Sequence, residues 1–177
     1  ISNCGYYKKN DKKLNYLSRS SAAQSTLVID DTSSCRFFET NKNWLVKKGL
    51  KIIKKESIYE KNYWKIIASH DGYLKKYHSI HERQIEFFPK NMIFVGTDRI
   101  IKKKINHNYK FDIRFHVEPG VKLMKTQDNK TILIELDGEG WRFTCDNYDI
   151  NIDNGLYFGN KNLYTENQNI FISGISN

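Results

Sequence analysis

The chain has 177 residues, 39% hydrophobic and 14% aromatic, which excludes general disorder and provides for one domain with a proper core. A formal charge of +9 and a pI near 9.3 invite a polyanion partner, either nucleic acid or an acidic polysaccharide. No apolar run approaches a membrane span in length, and the start at Ile1 shows no signal-peptide pattern and no initiator methionine, as expected of a fragment of a longer chain.

The lysine runs at 8–9, 12–13, 47–48, 54–55 and 102–104 are scattered through a sequence rich in Lys, Ile and Asn. They read as solvated loops and strand edges, so the composition itself accounts for the charge more simply than a specific polyanion partner, and nucleic-acid binding would rest on charge alone. Cys4, Cys35 and Cys145 have no metal-type spacing and are expected as buried or free thiols.

In chain order, residues 1–18 read as a polar loop. A short β-branched strand follows at Thr26–Ile29, closed by Asp30-Asp31 and a Ser/Thr cluster. From Asn43 to Glu60 an Ile/Lys alternation favours strand over helix, although Gly49 interrupts it. Trp64 to Phe88 is the richest stretch. It reads as two strands about a tight Asp71-Gly72 turn, because both residues tolerate positive φ. His70 then sits at the lip of the turn, with His78 and His81 on the second strand. An odd separation sends those two to opposite faces.

Phe111, Ile113, Phe115 and Val117 alternate with polar residues as in a half-buried strand, and Pro119-Gly120 turns the chain. Hairpins are expected about 127–130 and 137–140, a further turn at Asn154-Gly155, and a last short strand at Ile170–Ile172. Many short strands with closely spaced turns, no convincing helix and no linker predict an all-β fold. The expected architecture is an antiparallel two-sheet β-sandwich spanning 1–177 as a single domain. Trp44, Trp64 and Trp141 are candidates for stacking on sugar rings, with core packing expected for at least two of them. No nucleophile motif, phosphate loop or spaced carboxylate pair appears.

The runs RSSAAQSTLVIDDTSS (19–34), SHDGYLKKYHSIHER (69–83), RFHVEPGVKLMKTQDNKTILIEL (114–136) and GEGWRF (138–143) carry a resemblance. In order, and over nearly the whole chain, they resemble the C-terminal β-sandwich domain of heparinase II/III-like polysaccharide lyases. That resemblance implies β-elimination on a uronic-acid-containing glycan by a larger chain. An N-terminal α/α toroid would supply most of the catalytic groups, so this fragment alone is expected to be inactive. It also implies a periplasmic or cell-envelope setting.

In several members of that family the sandwich holds a structural zinc with two histidines and an aspartate. His70 of SHDGY matches one ligand position, and Asp31 or Glu39 is the candidate carboxylate. Gln24 stands where the second histidine is usual, which leaves either a degraded site or no metal. Ala22 stands where some family lyases carry a catalytic histidine. Arg19, Gln24 and Tyr73 are the expected substrate-binding residues, Arg19 as a partner for an anionic sugar. A non-catalytic carbohydrate-binding or structural module is the alternative reading.

Overall fold

The computed structural model describes residues 1–9, 11–42, 44–104, 107–159 and 163–176. In chain order its elements are α1 (Lys12–Arg19), β1 (Leu27–Ile29), β2 (Arg36–Glu39), β3 (Trp44–Lys48), β4 (Ile52–Glu60), β5 (Tyr63–His70), α2 (Leu74–Tyr77) and β6 (Ser79–Phe88). They continue with β7 (Ile93–Lys102), β8 (Tyr109–His116), β9 (Lys122–Lys125), β10 (Thr131–Leu136), β11 (Glu139–Thr144), β12 (Ile150–Tyr157) and β13 (Thr165–Ser176). These elements gather into two compact units, residues 1–47 with 109–177, and residues 48–108.

The larger unit is an all-β sandwich. One sheet has the order β1-β8-β13-β12 and the other β11-β10-β9, each with antiparallel ladders. Between them Ile132, Ile150, Ile170 and Ile172 are buried, packed against Phe115, Leu123, Ile134 and Phe143. Each strand sends alternate side chains to this interior, and the β-branched residues suit a pleated surface. β2 and β3 form a separate two-stranded sheet.

The expected loop over residues 1–18 contains α1. Asp11 caps it by accepting from the Leu14 amide at 3.0 Å, and its buried face is polar, made of Asn15 and Ser18. Asn15 Nδ2 donates to the Tyr7 carbonyl (2.9 Å), and Ser18 Oγ accepts from the Tyr7 amide (3.1 Å). With only eight residues, two leucines at Leu14 and Leu17, and its most buried side chains polar, the helix carries an apolar stripe too short to stand out in the sequence. Asn43, at the start of the ambiguous 43–60 segment, lies outside the described residues, and the remainder forms β3 and β4 as expected.

The turns differ in an instructive way. Asp30 and Asp31 both take positive φ (44° and 53°), and Asp137 and Gly138 do the same (52° and 83°), as primed two-residue turns require. Asp71 and Gly72 do not. Their strands are joined instead by residues 71–78, in which α2 forms one helical turn and His78 closes it in the left-handed region (φ 49°). Burial explains the detour: Tyr73 and Tyr77, four apart on the helical turn, are 1% and 5% exposed. His78 therefore precedes β6 rather than lying on it.

Asn154-Gly155 does not turn either, because β12 runs straight through it. Gly155 pairs with Asn167 of β13, and a Cβ there would stand 2.8 Å from Asn167 Oδ1. Glycine is thus a close-approach residue at that place. The final strand, expected at 170–172, extends over 165–176 because its polar residues are buried too, Asn167 at 6% and Asn169 at 1% exposure.

The smaller unit is an antiparallel meander in the order β4-β5-β6-β7. Of the tryptophans, Trp44 packs half-buried on Tyr16 with ring centroids 4.8 Å apart. Trp64 and Trp141 are exposed, which corrects the expectation that at least two are core residues. Trp64 is the second residue of β5, and Trp141 lies on β11 at the edge of its sheet.

Ile170 is fully buried at the centre of the sandwich. Truncation, Ile170→Ala, is expected to lower unfolding free energy by about 2–5 kcal/mol, measured by chemical denaturation. Met124→Ala, on an exposed side chain, is expected to change it by under about 0.5 kcal/mol.

Candidate functional site

The expected site residues fall in both units. In the sandwich unit, Arg19 ends α1 and Gln24 follows it on a short 3-10 turn. The Arg19 guanidinium lies over the Tyr6 ring, 4.4 Å from its centroid, and donates to the Tyr6 hydroxyl. Gln24 Nε2 donates to the Ser18 carbonyl at 3.0 Å. Interlocking hydroxyl bonds hold the segment between them. Ser21 N–H donates to Ser33 Oγ (3.1 Å), and Ser34 N–H donates to Ser21 Oγ (2.9 Å).

The residue that sequence reasoning missed here is His116. It lies on β8, 4% exposed, and its Nε2–H donates to the Ala22 carbonyl at 3.0 Å. Its backbone amide donates to Ser25 Oγ at 2.9 Å. His116 Nδ1 is buried without a hydrogen-bond partner among the described residues. Burial holds the imidazole below its ordinary pKa, with the Ala22 carbonyl opposing and the Arg114 charge reinforcing the shift. An imidazole thus reaches the backbone at Ala22 from a strand 94 residues away.

In the meander, register sets His70 directly opposite His81. The Gly72 amide donates to His70 Nδ1 (3.2 Å), which leaves the His70 proton on Nε2, aimed at His81 Nδ1 (3.1 Å). His81 Nε2–H in turn meets Asp98 Oδ1 at 2.6 Å, and Arg83 grips the same carboxylate with Nε at 2.8 Å and Nη2 at 2.9 Å. The hydrogen bonds all run one way, from backbone amide through two imidazoles to a carboxylate. Burial alone would raise the Asp98 pKa, but the bonds from His81 and Arg83 outweigh it and the group is held below its usual value. His70 is pushed down to about 4, first by burial and then by His81, with Asp71 opposing.

This set is a positioning lock for the 71–78 connection. Both His70 ring nitrogens are engaged, so it has no lone pair to offer an ion or a substrate proton. Tyr73 packs in the same connection, 5.9 Å between ring centroids from His70 and 1% exposed. Of the expected zinc ligands, Glu39 pairs with Lys12 at 2.8 Å and Asp31 occupies the exposed primed turn. Among the described residues no three His, Cys, Asp or Glu come together as a metal-ligand group. The three cysteines are free thiols, and burial raises that of Cys4 to about 11.

Two consequences are measurable. A histidine with a folded pKa near 4 against an ordinary 6.5 takes up a proton more readily when unfolded. Stability is therefore expected to fall as pH drops from about 6.5 to about 4 and to show no His70 contribution above that window. His70→Gln should flatten this slope in denaturation midpoints, leaving the part due to His116, which has the same sign. Separately, Asp98→Asn strands His81 and Arg83 around a side chain that is 6% exposed. A loss of about 3 kcal/mol or more is expected in chemical denaturation.

A family profile described as heparinase II/III-like, C-terminal, matches residues 1–176. Among solved structures, the chain is similar to heparan sulfate lyase HepC from Pedobacter heparinus, with a TM-score of 0.72 and 14% identity over 96% of this chain and 24% of that one. A mutant of the same lyase gives a TM-score of 0.74 at 14% identity, covering 98% of this chain and 26% of that one. A heparinase III gene product gives 0.65 at 14% identity over 92% and 23%. Among curated proteins none matches. The chain spans about a quarter of the length of these solved lyases. The match across residues 1–176 places the chain in the heparinase II/III-like C-terminal family.

Proposed function

We propose that this chain is the C-terminal sandwich of a polysaccharide lyase that cleaves a uronic-acid-containing glycan by β-elimination, with an N-terminal α/α toroid in the same protein supplying most of the catalytic groups. The observation that carries the reading is the family match over residues 1–176. In the reaction the uronate carboxylate is neutralised so that the C5 proton becomes acidic, and a Tyr or His base removes it. The C4–O bond then breaks as the C4=C5 double bond forms, and the departing oxygen takes a proton.

Within this chain the contribution is to binding. Arg19, held at the surface of Tyr6, is a cation for an anionic sugar, and Gln24 beside it is a neutral hydrogen-bonding group. Neither Ala22 nor Gln24 can act as a base, and the His116 imidazole behind them is buried. That observation supports the second reading, a non-catalytic glycan-binding or structural module. A periplasmic or cell-envelope setting is part of the proposal.

The deciding experiment mixes full-length protein with a panel of acidic polysaccharides and follows the ultraviolet absorbance of unsaturated uronate. A rise with one substrate is expected, and Arg19→Ala should raise KM for it about tenfold with a smaller effect on kcat. No rise from folded protein with any uronate polymer would transfer the assignment to the binding module.

A further inference from the structure

The formal charge is distributed very unevenly. Residues 48–108 hold 14 Lys and Arg against 6 Asp and Glu, a net of +8, whereas the other 116 residues hold 15 against 14. Most of the net positive charge thus falls in the one continuous stretch that builds the small four-stranded meander.

Register then sorts this meander by face. Tyr59, Trp64, Phe87 and Phe94 are cross-strand neighbours in one row, and Ser57, Ile66, Ile85 and Gly96 form the next row on the same face. Successive ring centroids in the aromatic row are 6.4, 5.3 and 4.2 Å apart. Tyr59, Trp64 and Phe94 are 67%, 45% and 60% exposed, and Ile66 and Ile85 are exposed beside them. Nothing stands within 4 Å of where a Cβ on Gly96 would be, so the platform is open there. An apolar surface of this kind marks an interaction site more often than chance.

The acids avoid this face. Strand alternation puts Glu56, Glu60, Glu82 and Glu86 on the opposite side, where Glu86 accepts from the Tyr63 hydroxyl and Glu82 pairs with Arg99. Asp98 is the one carboxylate on the aromatic face, and it is buried under His81 and Arg83. Cations lie at both ends of the sheet. Lys61 and Lys90 sit in the turns beside the aromatic row, and Lys51, Lys75, Lys76, Lys103 and Lys104 lie at the opposite end, about 20 Å along the strands.

We infer that this aromatic face of β4–β7 binds an acidic polysaccharide, with sugar rings stacked on Trp64, Tyr59 and Phe94 and the glycan's carboxylates or sulfates taken by the flanking lysines. That the polyanion is a glycan rests on the proposed function. The site itself rests on charge complementarity and exposed rings. A chain with apolar ring faces and anionic substituents matches both features together, and the displaced glutamates remove the repulsion it would otherwise meet.

The test is calorimetric binding of heparan sulfate fragments of defined length to the full-length protein across a salt series, with single-stranded DNA of equal charge as the competing polyanion. Trp64→Ala with Phe94→Ala should weaken glycan binding about tenfold or more without changing its salt dependence, and Trp64→Phe should restore most of it. Lys75, Lys76, Lys103 and Lys104, all changed to Gln, should instead make the salt dependence shallower. The same substitution at Lys8, Lys9, Lys13 and Lys42, in the other unit, should leave binding within about twofold. Equal losses in that control, or full binding by the Trp64→Ala, Phe94→Ala variant, would overturn the site. So would DNA binding that is as tight and equally dependent on Trp64, which would point to nucleic acid. Binding and turnover are separate readouts, so a protein that forms no unsaturated product can still bear out the site, and an active lyase with unaltered variant binding removes only the site.

Discussion

In the meander, Trp64 faces Phe87 and His70 faces His81, and a slip of one residue in that pairing would turn every side chain of one strand to the other face. Much of what distinguishes this chain follows from that register. It joins two imidazoles, a carboxylate and a guanidinium that are widely separated in sequence into one directional set of hydrogen bonds. It also aligns four aromatic rings across four strands and moves four glutamates to the far side. The polar lock and the apolar row occupy opposite ends of one face. The buried carboxylate at one end leaves the other end free of negative charge.

The sandwich unit is organised differently. Its interior is a conventional layer of isoleucines between two sheets, but the segment carrying Arg19, Ala22 and Gln24 is held by polar contacts: Asn15, Ser18, Ser21, Ser33 and the His116 imidazole. Buried polar groups are costly unless paired, so each bond specifies one geometry rather than merely favouring compactness. A segment fixed this way presents Arg19 and Gln24 from a rigid base, as a binding surface requires. The same rigidity leaves little freedom for a proton-transferring group there.

Membership of the heparinase II/III-like C-terminal family gives the two units a common context. The proposed elimination needs a neutralised carboxylate, a base and an acid. This chain carries exposed cations and aromatic rings. Its histidines are largely committed: His70 and His81 to each other and to Asp98, His116 to the Ala22 carbonyl.

By itself, the sequence determined the fold class, most strands and the family, because period-2 alternation, turn residues and ordered motif runs are local properties. It identified β8, the hairpin of β9 and β10, and the tight turn after β10, each from a few adjacent residues. It misjudged α1, whose buried side is polar, and Asn154-Gly155, where glycine answers to Asn167 on another strand. It also read the 71–78 connection as a two-residue turn, because the burial of Tyr73 and Tyr77 is not a local signal. For the candidate site, Arg19 and Gln24 were proposed from their motif, whereas the contact of His116 with Ala22 and the His70, His81, Asp98 and Arg83 set had no signal in the sequence. Tertiary structure alone decided those contacts and which face of the meander carries the aromatic row and which the glutamates. Cross-strand register and long-range pairing choose which distant residues share a face, and no spacing within the chain encodes that choice.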